Sequence, residues 1–290
     1  MARSLRIEFP GALYHITSRG NEKKHIFQDT KDRDSFIEIL TLVIERFDWI
    51  CHAYVLMGNH YHLLIETPKG NLSRGMRQLN SIYSQKFNRK NKRVGHLFEG
   101  RFKSILIEKE PYLLELSRYI ALNPIRAGLV ENPGEWKWSS YRAMVGEIPK
   151  PDFLTIDWIL SQFGKNKPAA ARTYKQFVME GYGVEFPHDE LIGQVILGSE
   201  KFLKEVNVHI GEENLSKLKE IPREQRYSSR PILEEIFQKE MIGGKSRDEI
   251  ILRVYNEYDF TMKEIGDFLG MHYSTVSLAV KKNEDKKKRD

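Results

Sequence analysis

A chain of 290 residues has room for about two domains of ordinary size, and with 40% apolar and 30% charged residues it can bury a core and is not compositionally disordered. No apolar run approaches the roughly 20 residues of a bilayer-spanning helix, the start lacks the apolar core of a secretion signal, and the single cysteine, Cys51, excludes a disulfide framework and a cysteine-built zinc site; a cytoplasmic, reducing setting without membrane contact is the expectation. The net charge of +6 is concentrated: residues 70–103 carry nine Lys and Arg against one acid, Glu99, so that stretch is +8 and the remainder of the chain −2.

The first strand carries His15, which could approach a site on the sheet but is read as a satisfied sheet histidine. Phe36, Ile39, Leu40, Val43, Ile44 and Phe47 then recur at helical spacing and predict an amphipathic helix over 31–47, entered at Asp29 or Thr30. Residues 49–57 and 60–67 are short, apolar and β-rich, which predicts a hairpin turned at Gly58-Asn59. Leu72, Met76, Leu79, Ile82, Tyr83 and Phe87 predict a helix over 71–89, and residues 102–108 another strand. A further helix starts with Pro111 and is stopped by Pro124. This order predicts an α+β fold, an antiparallel sheet carrying helices on one face. The basic residues Arg74, Arg77, Lys86, Arg89, Lys90, Lys92, Arg93, Arg101 and Lys103 interleave with Tyr83, Phe87, Phe98 and Phe102. That mixture tracks phosphates and stacks bases; a solvated helix face followed by a basic turn is the competing reading.

The sharpest local feature is Gly58-Asn59-His60-Tyr61-His62. Residues i and i+2 of a strand share a face, so His60 and His62 project together, about 7 Å apart along the chain, and two neutral imidazoles at that spacing can hold one divalent cation. A hydrogen-bonded or exposed pair satisfies the same spacing. Tyr61, Leu63 and Ile65 supply core on the other face. On the helix 111–123, Tyr119 and Asn123 stack four residues apart. A tyrosine hydroxyl, with a pKa of about 10, attacks poorly unaided, and a metal ion helps by polarising a scissile phosphate. Tyr112 lies two turns earlier on nearly the same face, so spacing alone leaves an aromatic core stripe open.

His60-Tyr61-His62 fits a His-hydrophobic-His (HUH) motif. Leu97-Phe98-Glu99-Gly100-Arg101-Phe102-Lys103-Ser104, Arg118-Tyr119-Ile120-Ala121-Leu122-Asn123-Pro124-Ile125-Arg126-Ala127-Gly128, the opening Tyr14-His15-Ile16-Thr17-Ser18-Arg19-Gly20-Asn21 and Trp138-Ser139-Ser140-Tyr141 follow in order. Together they resemble the REP-associated tyrosine transposases, within the single-tyrosine HUH transposase superfamily, over about residues 1–145. The resemblance implies a ferredoxin-like HUH nuclease that cuts single-stranded DNA, often beside a hairpin, and leaves a 5′-phosphotyrosine link with a free 3′-hydroxyl. It implies Tyr119 as nucleophile, His60 and His62 as metal ligands, and Asn123 as a third ligand. Mg²⁺ or Mn²⁺ is the implied cofactor, and imidazole ligands suit manganese better on softness grounds. An HUH replication initiator or relaxase shares this chemistry, and a domesticated, non-cutting DNA-binding regulator shares the fold.

Past Tyr141 the turn residues thicken, which predicts a boundary near 145–150. The expected parts are a nuclease over 1–146, a helical middle over 147–230 that includes the polar linker Arg223–Arg230, and a helical unit over 231–290 closing on a basic tail. Gly243-Gly244-Lys245-Ser246 lacks the glycine at 239 and the preceding strand of a phosphate loop. Within 247–283, Ile265, Phe268 and Leu269 facing inward, a turn at Gly270, then Val276 and Val280 inward, is helix-turn-helix spacing. Its second helix offers His272, Tyr273, Ser274, Thr275 and Ser277 to bases and phosphates of a duplex site. The Glu-Ile-Gly and Ser-Thr-Val elements there resemble the DNA-binding domain of the replication initiator DnaA. A helical hairpin used for packing or dimerisation has the same spacing, and both monomer and homodimer are compatible with the sequence.

Overall fold

The computed structural model describes residues 7–183, 191–192, 195–215, 232–256 and 260–287. The predicted linker Arg223–Arg230 and the last residues of the basic tail lie outside the described residues. Strand β1 (Ala12–Arg19) is central and is buried on both faces over Ala12–Ile16. It pairs antiparallel with β3 (His60–Thr67) on one side and β4 (Lys103–Ile107) on the other, while β2 (Ile50–Leu56) completes the hairpin with β3. Helix α1 (Thr30–Phe47) links β1 to β2, and α2 (Leu72–Lys90) links β3 to β4. The spatial order β2-β3-β1-β4 with βαββαβ connectivity is the ferredoxin-like topology within an α+β fold.

Local chemistry explains the boundaries. Asp29 caps α1 by accepting from the Asp32 backbone N–H at 3.0 Å, and Asp48 closes the helix in the left-handed region at φ 53°. At the far end of α2, Lys90 reaches Asp29 (2.6 Å) and Asp32 (2.7 Å), tying the two helices together. Gly75 is required where α2 crosses Trp49: a Cβ there would lie 2.1 Å from the indole ring.

Helix α3 (Lys109–Arg126) differs from expectation in extent. It contains Pro124 and continues to Arg126. Proline removes one N–H donor, but so near the C-terminus the chain completes the turn, with Ala127 N–H bonding the Asn123 carbonyl at 3.0 Å. Pro111 sits in the first turn, where backbone N–H groups have no helical acceptor anyway. The helices do not share one face of the sheet. Tyr61 packs on Phe36 of α1 and donates to Asn80 of α2, whereas His62, pointing the other way, meets Tyr119 of α3.

Beyond α3 the chain seals the sheet. Trp138 and Ser140 bond the β2 edge (Leu56 N to Trp138 O, 2.8 Å; Ser140 N to Tyr54 O, 3.0 Å), as does Thr155 (to Cys51 O, 2.8 Å). After α4 (Tyr141–Met144), α5 (Asp157–Ser161) and α6 (Lys167–Glu180), the short strands β5 (Leu191–Ile192) and β6 (Ile196–Leu197) add to the other edge, with β6 parallel to β4. The middle read as helical over 147–230 therefore also contains two strands; at two residues each they carry no detectable periodicity. Helix α7 (Glu200–Leu215) follows.

The chain divides into two compact units, residues 6–211 and residues 212–290. In the second, α8 (Leu233–Ile242), α9 (Arg247–Asn256), α10 (Met262–Leu269) and α11 (Tyr273–Lys287) surround a core of Ile236, Phe237, Ile250, Val254, Ile265, Val276 and Val280. Among the described residues no helix is long and apolar enough to cross a membrane.

Candidate active site

Strand β3 and helix α3 bring the predicted site residues together. The His60 and His62 rings have centroids 5.0 Å apart at 75°. Tyr119 stands edge-on to His62 at 5.9 Å, and Asn123, one turn further along, donates from Nδ2 to the Tyr119 carbonyl at 2.8 Å. Tyr112 and Tyr119 are both half-buried, while the fully buried positions of α3 include Leu113, Leu116 and Ile120. The tyrosines are thus not the core stripe of this helix.

Three further residues join them. His15 lies diagonally across from His62 on β1, stacked on its ring at 5.1 Å, with His15 Nε2 2.9 Å from His62 Nδ1. It belongs to the cluster and is more than a sheet histidine. Asn59, in the hairpin turn, contacts His60 Nδ1 through Oδ1 at 2.7 Å. Arg126 holds its guanidinium 4.7 Å from the centre of the Tyr119 ring and donates to the Tyr119 carbonyl at 3.0 Å. Arg126 is two helical turns past Tyr119, a spacing that could have singled it out.

Burial, assisted by the Arg19 charge, lowers the pKa of His60 to about 4. The His62 pKa falls too, through burial and then the neighbouring His15, His60 and Arg19. Both imidazoles are therefore neutral near pH 7, the form that binds metal. Burial pushes the Tyr119 phenol above its usual range, countered by the Arg126 charge and an Asn123 hydrogen bond.

Among the described residues no group of three or more His, Cys, Asp or Glu side chains forms a metal site. A set of two imidazoles and one amide remains, and it passes a test of fit. His62 Nε2 is buried and has no hydrogen-bond partner among the described residues, a cost that a Lewis acid would remove. Two imidazoles bound to one ion at about 2.1 Å would have ring centroids ~5 Å apart, which matches the His60–His62 spacing.

A second contact sets the helix on the strand. A bulge at His52 in β2 lets its Nε2 reach Glu66 at 2.9 Å, and Lys109 at the start of α3 reaches the same carboxylate oxygen at 2.6 Å. From His62 to Glu66 the strand advances roughly 14 Å at ~3.4 Å per residue. From Lys109 to Tyr119 the helix advances about 15 Å at 1.5 Å per residue. The two anchors match, so Glu66–Lys109 holds Tyr119 at the histidines.

The basic stretch is more divided than its charge count implies. Arg74, Arg77, Arg89, Lys92, Arg101 and Lys103 are exposed and Arg93 is half-buried over Phe87, but Lys90 is held by Asp29 and Asp32, and Lys86 faces Glu38 at 3.8 Å. The interleaved Tyr83, Phe87, Phe98 and Phe102 are buried and unavailable to stack on bases. Tyr83 and Phe87 are four apart on the inner face of α2, and the spacing that made them look interleaved is core spacing.

In the C-terminal unit, Thr261 and Glu264 form a capping box that opens α10, and Gly270 closes it in the left-handed region at φ 64°. A Cβ on Gly266 would lie 2.7 Å from the Met271 carbonyl, so glycine permits the tight turn into α11. Ile265, Val276 and Val280 are buried as expected; Phe268 is 41% exposed, its ring leaning on Phe237 at 5.3 Å. His272, Tyr273, Ser274 and Thr275 are exposed and Ser277 half-buried.

No curated protein matches this sequence. A solved structure of a REP-associated tyrosine transposase bound to a REP hairpin shares 18% identity at a TM-score of 0.45, covering 53% of this chain and 92% of that one. Residues 9–123 match the family described as "Transposase IS200 like". The segment that contains His60, His62, Tyr119 and Asn123 is thus similar in sequence to the IS200-like transposases.

Proposed function

We propose that this protein is a DNA-cutting and rejoining enzyme of the single-tyrosine transposase type, with the nuclease in residues 1–146. The Tyr119 phenol oxygen attacks a backbone phosphorus of single-stranded DNA. The bond from phosphorus to the 3′ oxygen breaks, the 3′ oxygen leaves as a hydroxyl, and the 5′ phosphate stays on Tyr119 as a phosphodiester. Attack by a 3′-hydroxyl on that link reverses the step and rejoins strands, because the covalent bond conserves its energy. His60 and His62, with the Asn123 amide, would hold Mg²⁺ or Mn²⁺, which when bound stabilises charge developing on the phosphate. The exposed residues Arg74, Arg77, Arg89, Lys92, Arg101 and Lys103, with the half-buried Arg93, serve the DNA backbone. Residues 231–290 act as a helix-turn-helix reader of a duplex site through His272, Tyr273, Ser274, Thr275 and Ser277.

The observation that carries this reading is a half-buried tyrosine edge-on to a buried histidine whose Nε2 has no hydrogen-bond partner among the described residues. The test is a denaturing gel for a covalent protein–DNA adduct, using Mn²⁺ and labelled hairpin oligonucleotides from DNA flanking the chain's own gene. The expected result is an adduct lost in Tyr119→Phe and with chelator, while the variant still binds the oligonucleotide. An adduct that survives in Tyr119→Phe would make another tyrosine, Tyr112 first, the nucleophile. Binding without any adduct would favour a non-cutting regulator.

A further inference from the structure

The two site histidines each use Nδ1 for a hydrogen bond inside the protein, and for His60 the direction of that bond can be deduced. Asn59 Nδ2 lies 3.0 Å from the carbonyl of Lys23. A carbonyl only accepts, so the amide nitrogen must face Lys23, and the amide oxygen must face His60 Nδ1 at 2.7 Å. That oxygen also only accepts, so Nδ1 carries the proton. A neutral imidazole with its proton on Nδ1 has its lone pair on Nε2.

The turn that presents the Lys23 carbonyl is built for it. Glu22 and Lys23 both adopt left-handed backbone, φ 55° and 57°, which non-glycine residues rarely do. Gly20 makes the turn sterically feasible, since a Cβ there would lie 2.1 Å from the Lys24 carbonyl. Asn59 itself has no left-handed backbone, so its identity is not explained by the turn it occupies. Glycine or aspartate would turn the chain as well; only a side chain with an acceptor beside a donor links Lys23 to His60.

At His62 the partner is His15, 2.9 Å from Nδ1. With the proton on His62 Nδ1, donated to His15 Nε2, the buried and otherwise unpartnered His62 Nε2 is a lone pair. Either ring can donate in that contact, and a cation on His62 Nε2 selects the direction in which His62 donates.

We propose that Asn59 is a positioning residue that fixes the Nδ1–H tautomer of His60, with His15 as the acceptor for the same tautomer of His62, so that both Nε2 lone pairs are presented to one divalent cation. This rests on the metal reading of the site given above. Neither residue touches DNA or the cation in this role; they act through the histidines, as partners of metal-bound histidines do.

The test uses the full chain and Mn²⁺ alone, with free ion read by electron paramagnetic resonance and no DNA present. Asn59→Leu is expected to weaken Mn²⁺ binding on the order of tenfold to a hundredfold. Asn59→Asp, which keeps an acceptor for Nδ1–H, is expected to stay within about threefold of wild type, a rescue that a merely structural role would not give. In the metal-free wild-type chain, ¹⁵N–¹H correlation spectra of the imidazoles should report the proton of His60 on Nδ1, and in Asn59→Leu the His60 tautomers should mix. An Nε2–H form of His60 in wild type would overturn the proposal, as would undiminished Mn²⁺ binding by Asn59→Leu while wild type binds. Failure of wild type itself to bind Mn²⁺ would overturn the metal reading of the whole site, and this role with it.

Discussion

Arg126 lies over the face of Tyr119, and its charge works against the burial that holds the phenol protonated. A guanidinium there can also meet the negative charge of a phosphate joined to that oxygen. Arg126→Ala is expected to slow adduct formation on the order of tenfold to a hundredfold while leaving oligonucleotide affinity within about threefold; single-turnover gels and fluorescence anisotropy separate the two. Arg126→Lys should recover part of the rate, because it restores charge without the planar fork. At this scale the sequence was informative wherever chemistry and regular spacing coincide. His60 and His62 share a strand face and Tyr119 and Asn123 share a helix face, so local geometry brought each pair to light. The sequence allowed His15 to approach the site but not its contact with His62, which spans 47 positions and depends on the register of β1 against β3. Asn59 was hidden as a turn residue, a sufficient explanation until its amide is seen between Lys23 and His60.

Between elements, the ion pair of Lys109 with Glu66 decides where α3 rests on the sheet. Lys109→Met removes the cation while keeping the stem, and should cost about 1–3 kcal/mol, read from denaturant unfolding. It should also slow adduct formation, since the helix loses the anchor one end of which sets Tyr119. The Glu66 carboxyl is held below its usual range, first by the His52 hydrogen bond and then by Lys109. A depressed carboxyl pKa stabilises above the unfolded value of about 4.3 and loses that contribution as pH falls through the folded value. The stability gap between wild type and Lys109→Met is therefore expected to be full at pH 6–7 and to shrink below about pH 4. The elements themselves were readable where periodicity is long, as in α1 and α2. The misreadings share a cause: Pro124 was taken as a stop because local sterics outweighed position in the last turn, and β5 and β6 are too short to pattern. Tyr83 and Phe87 looked like base-stacking residues because charge on the outer face of α2 drew attention from the packing on its inner face.

For the whole molecule, the sheet outlasts the segment that carries the site. Leu106 and Glu108 donate their backbone N–H groups to Val195 (2.8 Å) and Leu197 (2.9 Å), so the side of β4 away from β1 has a neighbour only when residues 195–197 are present. A chain ended at residue 146 would leave that edge bare, and bare edges recruit other strands. It is expected to self-associate, whereas a chain ended at residue 211 should stay monodisperse, as light scattering after size exclusion would show. The opposite edge, β2, is sealed by residues 138–140 and 154–155.

The parallel pairing of β6 with β4 also imposes a timetable. Strand β4 ends at Ile107 and its partner at Leu197, about ninety residues later. At synthesis rates of ~5–20 residues per second, that interval is roughly 5–20 s. For most of it, once α3 has followed, four paired strands carrying the histidine–tyrosine cluster would wait beside the ribosome with one side unguarded. The sheet is completed only when a two-residue strand arrives, and the exposure of its edge to other nascent copies is measured in seconds of translation.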